Sequence, residues 1–214
     1  MNFLKGLLYI FKYIFLLILI ALFNNIYGIK NQFFQIFEYI LLLLIIIYPF
    51  VDDFVKDFKE YKLKYKTIIK KSIKPYIICF ILMTLTNLFI VYFIYHGIAP
   101  NEQLNRKILK SMPIYSIIVM CIITPVIEET TFRKAFTNAF RNKKINILVT
   151  ALLFGLMHVV FSLTNIIDLV FLIPYSILGF NFSYIYFKEK NIFSSISFHM
   201  FHNILSIIII LLTS

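Results

Sequence analysis

Apolar residues in this chain come in long runs, without the alternation of a half-buried strand or the one-sided stripe of a surface helix. Seven runs stand out, at positions 3–23, 33–51, 76–95, 112–127, 145–163, 166–187 and 192–212. Each is near the roughly 20 residues that a helix needs to cross the hydrocarbon core of a bilayer. Inside that core every backbone N–H and C=O has to be satisfied within its own segment, so the runs predict helices. The fold expected is an all-α, polytopic transmembrane helical bundle of about seven spans. The fourth run is short, but nothing from Glu128 to Phe136 breaks a helix, and this helix is expected to continue toward Phe140.

Composition agrees. Of 214 residues 61% are hydrophobic and only 14% charged, with a mean hydropathy of +0.88, which excludes an ordinary water-soluble domain. The first run follows Lys5 as a secretory signal would, yet it is longer than a signal core and lacks a small-x-small cleavage site, so it reads as a retained anchor. Cys79 and Cys121 both lie in apolar runs, where a thiol is usually a small packing residue. Neither a disulfide nor a cysteine metal site is expected.

The net charge of +11 would suggest nucleic acid in a soluble protein. Here the basic residues gather in particular loops, no aromatic-interleaved basic platform is present, and the expected partners are membrane lipids and a membrane-associated peptide or protein, not nucleic acid. With the amino terminus inside, seventeen of the 21 basic residues fall on the cytoplasmic side, and Lys30, Arg106, Lys107 and Lys110 lie outside. That asymmetry sets orientation during insertion. A multi-pass protein of the cell membrane is expected, with the 52–74 loop cytoplasmic. This segment mixes eight lysines with four acids and reads as a helix lying near anionic headgroups. Residues 1–111 then form the amino-terminal spans with the basic loop, and residues 112–214 form the region that carries chemistry.

Ionisable groups inside a span cost roughly 2.5–3.5 kcal/mol each on insertion scales, so each needs a partner or a function. They cluster in three places: Glu128, Glu129 and Arg133 after Pro125; Phe154 and His158; and His199, His202 and Asn203. Counted inward at 1.5 Å per residue, Glu128, His158 and His199 lie roughly 20, 21 and 14 Å from the cytoplasmic boundary, so the three can meet. Glu129 and Arg133, Phe154 and His158, and His199 and Asn203 are each spaced i to i+4 and share a helix face. Arg133 can thus neutralise Glu129 and leave Glu128 as the working carboxylate. Pro125 frees the carbonyl of Cys121 and predicts a kink. A buried carboxylate sharing a water with a histidine makes a general base, a role that suits Glu128 with His158. An imidazole N–H and an asparagine amide on one face make an oxyanion site, which suits His199 with Asn203.

These motifs, E-E-x-x-x-R, F-x-x-x-H and H-x-x-x-N in order on successive late spans, resemble those of the CAAX-protease and bacteriocin-processing family, also called Abi. The resemblance covers about residue 112 to the end. It implies an intramembrane endopeptidase similar to the type II CAAX prenyl proteases, with catalytic positions at Glu128, Glu129, Arg133, His158, His199 and Asn203. For bacterial relatives it implies bacteriocin maturation or self-immunity, peptide signals and surface-protein display. No cofactor is expected. Zinc is the alternative, held by Glu128, His158 and His199 with His202 as a fourth ligand, although no H-E-x-x-H pattern is present and the ligands would come from three helices.

Two other functions compete: a non-catalytic membrane regulator or bacteriocin-immunity protein of the same fold, and a transporter or proton relay, against which the lack of inverted repeats counts. Among the remaining polar residues, His96 and His202 are expected to pack, Asn87 and Asn181 to bond across helices, and Asp168 to lie at the outer interface.

Overall fold

Asparagine and proline mark where the helices begin. In the computed structural model, which describes residues 3–213, the side chains of Asn31, Asn142 and Asn191 accept the backbone N–H of Phe33, Lys144 and Phe193 at 2.9, 2.9 and 3.0 Å. Each satisfies a donor that the first helical turn leaves open. Pro100 and Pro113 stand at the first positions of their helices, where a missing N–H costs nothing.

Eight helices result: α1 (Phe3–Ile26), α2 (Gln32–Ile47), α3 (Val51–Ile90), α4 (Pro100–Ser111), α5 (Pro113–Phe136), α6 (Lys143–Val160), α7 (Leu172–Glu189) and α8 (Ile192–Leu212). There is no strand among the described residues. Six helical segments are long and apolar enough to cross a membrane, one of them being the continuous stretch Gln32–Tyr95, which contains two of the seven apolar runs. The protein is a multi-pass membrane helical bundle.

α5 is the axis of the bundle. It has 56% of its apolar window buried within the protein, against 11% for α1 and 6% for the α2–α3 stretch, so the amino-terminal helices turn most of their surface outward. Phe132, Phe136, Phe154, Phe182 and Ile185, from α5, α6 and α7, are fully buried around the lower part of that axis.

α6 and α7 lie closest together, and two glycines allow it. A Cβ on Gly179 would sit 2.9 Å from the carbonyl oxygen of Ala151, and one on Gly155 would sit 2.9 Å from the backbone nitrogen of Ser176. Both are nearer than real Cβ atoms come, as in membrane helix pairs that rely on small residues for close approach.

The two ends of the bundle differ in charge. At one end, Lys134 lies 3.4 Å from Asp53 and 3.3 Å from Asp57, the backbone N–H of Ile192 donates to Asp57 at 3.1 Å, and Lys188 donates to the carbonyl of Lys71. This is the basic end. At the other, Arg106 of α4 donates to Thr213 at 3.0 Å and Tyr95 packs edge-on against Phe171.

Two expectations need correction. The α-helical part of α5 ends at Phe132 and passes through a 3-10 turn at Lys134–Phe136, so it does not reach Phe140. The cause lies in α6, where the Asn146 side chain bonds both the N–H and the carbonyl of Phe140 and holds that backbone out of helical register. Glu128 therefore owes its seclusion to the aromatic packing below it more than to depth along its own helix. The 52–74 segment is a helix, as expected, but not one lying apart from the spans: it is the first half of α3, continuous with the span that follows, with Asp57 buried against the start of α8. Asp168, in the turn at the non-basic end, has its side chain buried within the protein: it accepts hydrogen bonds from the backbone of Thr164 and Asn165 and forms a capping box.

Gly179→Ala is expected to destabilise the protein by about 1–3 kcal/mol through overpacking. Thermal unfolding in detergent reads the loss, and an unchanged midpoint would show that the α6–α7 contact can relax.

Candidate active site

Glu128 and Glu129 are adjacent on α5, so they point to different sides of it. Glu129 is fully buried and faces inward. Its Oε1 lies 3.2 Å from Nη1 of Arg133, one turn further on, and accepts a hydrogen bond from His199 Nδ1 on α8 at 2.9 Å. Arg133 is also fully buried. Its Nη2 donates to the Gly179 carbonyl on α7 at 3.0 Å, and its guanidinium stands 4.6 Å from the Phe154 ring centre and 5.8 Å from that of Phe182. The cation is thus balanced by a carboxylate, a carbonyl dipole and aromatic faces, as a charge withdrawn from water requires.

Glu128 has no such partner. It keeps 12% of its side chain exposed, and Oε2 has no hydrogen-bond partner among protein atoms. The nearest basic atom to Oε2 is His199 Nε2, at 3.7 Å. Because the other ring nitrogen of His199 is engaged by Glu129, the ring is fixed with Nε2 toward Glu128. Phe182 stacks on the His199 ring at 4.5 Å and locks it further.

His158 is held in a similar way: Nδ1 donates to the Phe154 carbonyl at 2.9 Å and the ring stacks on Tyr175 at 5.2 Å. It makes no direct contact with Glu128, and the histidine beside that carboxylate is His199. Glu128, His158, His199, His202 and Asn203 nevertheless all line one cavity of about 520 Å³, whereas Glu129 and Arg133 stand behind its wall.

Asn203 adds a detail that spacing along the chain conceals. Residues Ser116–Ile123 of α5 are wound as a π-helix, and the N–H of Thr124 reaches back to Val119, five residues away. In that register Pro125 faces the carbonyl of Met120, not that of Cys121 as a regular helix would have it, and proline has no N–H to give. The Asn203 amide supplies the missing donor, at 2.7 Å from the Met120 oxygen. One amide N–H is so used and the second is left for the cavity.

Sequence reasoning missed Tyr76, whose hydroxyl lies 3.4 Å from His202 Nδ1, and the Gly179 carbonyl on Arg133. No local pattern marks either one. His202 is buried among Phe80, Tyr76 and Phe182 as well as lining the cavity. Asn181 is buried without a hydrogen bond from its side chain, so the cross-helix bond expected of it does not form. Among the described residues no three His, Cys, Asp or Glu side chains converge in a way that could hold a metal ion, so the set Glu128, His158 and His199 is not assembled as ligands.

Comparison with known proteins finds similarity over the part of the chain that holds this site. Residues 110–205, which hold all the motif positions, match the family described as type II CAAX prenyl endopeptidase Rce1-like. This region of the chain is similar to that family. Among curated relatives, "UPF0177 protein YxdF" of Lactococcus lactis is 35% identical over 81 residues, covering 38% of this chain and 42% of its own length. "Putative membrane peptidase YdiL" of Bacillus subtilis is 30% identical over 120 residues, covering 53% of this chain and 45% of its own length. The chain thus spans less than half the length of either relative. No solved structure matches it.

Removing the cation should cost more than removing the pair. Arg133→Met is expected to lower stability by about 3–5 kcal/mol, because it leaves Glu129 buried and uncompensated. Adding Glu129→Gln should recover part of that loss, read from unfolding midpoints of the two single variants and the double variant; strictly additive costs would show that the two groups do not act as a pair.

Proposed function

We propose that this chain is an intramembrane endopeptidase in which Glu128 activates water against a peptide bond held in the cavity. The observation that carries the reading is the contrast between the two neighbouring glutamates. One oxygen of Glu129 is engaged by both Arg133 and His199 behind the cavity wall, while Glu128 lines the cavity with its Oε2 unbonded beside a fixed imidazole. The resemblance of residues 110–205 to a prenyl endopeptidase family, and of part of the chain to a protein named as a membrane peptidase, support the same reaction class.

The reaction runs as follows. Glu128 takes a proton from water, and the hydroxide adds to the peptide carbonyl carbon. His158 Nε2, the ring nitrogen not bonded to Phe154, steadies the attacking water. The oxyanion that forms receives hydrogen bonds from the free amide N–H of Asn203 and from His199 Nε2–H, with the Glu129 carboxylate supporting the imidazolium that donates both its protons. With His199 in that form and Glu128 protonated, the charges of Glu129, Arg133, His199 and the oxyanion sum to zero. The protonated Glu128 then gives its proton to the departing nitrogen as the C–N bond breaks, yielding an amine and a carboxylic acid, which loses its remaining proton to water.

A metal-free course is part of the proposal. It rests on Asn203, a poor zinc ligand but a good amide donor, sharing the face of His199. Roles in bacteriocin maturation or immunity are extensions of the same reading.

Glu128→Gln is expected to abolish cleavage while the protein still inserts and accumulates. Comparing the peptides in membranes that carry wild type or Glu128→Gln checks this: a precursor should build up only in the variant, and identical peptide populations would favour a non-catalytic regulator. Against the precursor so found, His199→Ala should lower turnover by roughly 10²–10³, as for loss of one oxyanion donor, and a chelator should change nothing.

A further inference from the structure

The cavity in front of Glu128 has a direction. From the carboxylate it runs past Ser206, Ile207 and Ile210 on the second half of α8 to Asn101, Glu102 and Asn105 on α4. Those residues belong to the end of the bundle opposite Lys134, Asp57 and Lys188. Toward the basic end the way is closed, because Phe132, Phe136, Phe154, Phe182 and Ile185 are completely buried there. A separate cavity at the basic end, walled by Asp53, Lys134, Arg141 and Lys190, shares no lining residue with the first.

Charge gives the two ends their sides. Seventeen of the 21 basic residues lie in segments of the basic end and four in those of the other, and the lysine- and arginine-rich side of a membrane protein is retained in the cytoplasm. We propose that the Glu128 cavity opens on the extracytoplasmic face, so that its substrate is a peptide segment presented on that face or in the outer leaflet, and not the tail of a cytoplasmic protein. This rests on the peptidase reading for what happens to the substrate, but not for the side from which it enters.

The lining narrows the substrate class. At the mouth, Glu102 is paired with Arg106 at 2.7 Å, which leaves the uncharged amides of Asn101 and Asn105. Deeper in, Tyr13, Leu17, Tyr39 and Val119 face α3 residues Phe80 and Met83 across an apolar space. At about 520 Å³ the cavity is within the range of small-ligand pockets and admits a short extended stretch, not a folded domain. The segment it fits has apolar residues flanking the scissile bond and uncharged polar residues toward the outer surface.

Thiol labelling in intact cells tests the direction without any need for cleavage. Single cysteines are introduced at Ser206, inside the cavity, at Asn105, at its mouth, and at Lys62, on the basic half of α3, in a background carrying Cys79→Ala and Cys121→Ala. A small membrane-impermeant thiol reagent should modify Ser206→Cys and Asn105→Cys as fully in intact cells as after permeabilisation, and Lys62→Cys only after permeabilisation. Reaction of Ser206→Cys from the same side as Lys62→Cys would overturn the proposal, as would reaction of Lys62→Cys in intact cells. So would failure of Ser206→Cys to react from either side while Asn105→Cys reacts. None of these outcomes depends on Glu128, so an inactive protein with an outward cavity fails the peptidase reading alone.

Discussion

A full positive charge buried among helices has to be met from several directions at once, and in this chain that charge is Arg133. Glu129 meets it from the same helix, the Gly179 carbonyl from α7, and the faces of Phe154 and Phe182 from α6 and α7. His199 of α8 joins through Glu129. Four helices are thereby fixed around one ion pair, and the close α6–α7 approach at Gly155 and Gly179 is what brings that carbonyl within reach. Function follows from the same arrangement. An ion pair that engages Glu129 and orients His199 leaves Glu128 as the one carboxylate of the two that lines the cavity. Two consecutive glutamates on one helix thus acquire different environments from the rotation of about 100° between neighbouring residues.

The second constraint is the π-wound segment of α5. Its wider turns shift by one residue the carbonyl that faces Pro125, and the oxygen so exposed, that of Met120, is met by Asn203. π-turns of this sort are found mostly at functional sites. The distortion in α5 positions a polar side chain of α8, and one amide is shared between holding the backbone and facing the cavity. Stability and proposed chemistry are therefore coupled at this residue.

Much of this was legible in the sequence, for a definite reason. Apolar run length and i to i+4 spacing are properties of a single helix, and they gave the spans, the Glu129–Arg133 pairing and the shared face of His199 and Asn203. Relations between helices are not written in any one of them. The sequence reading set Glu128 beside His158, whereas the structure sets His199 closer, because which face of α8 meets α5 depends on packing. The end of the α-helix at Phe132 depends on Asn146 of the next helix, and the burial of Asp168 on a turn that its own side chain organises. The shift from Cys121 to Met120 needs the helix winding, which apolar periodicity does not register.

The central claim is that a peptide bond is held with its carbonyl toward α8 and its attacking water toward Glu128. A solved structure of the Glu128→Gln variant holding an uncleaved precursor peptide measures this directly. The account predicts the scissile carbonyl oxygen within about 3 Å of both His199 Nε2 and Asn203 Nδ2, with the carbonyl carbon facing residue 128. A peptide bound in the basic-end cavity, or one whose carbonyl contacts neither donor, would contradict it.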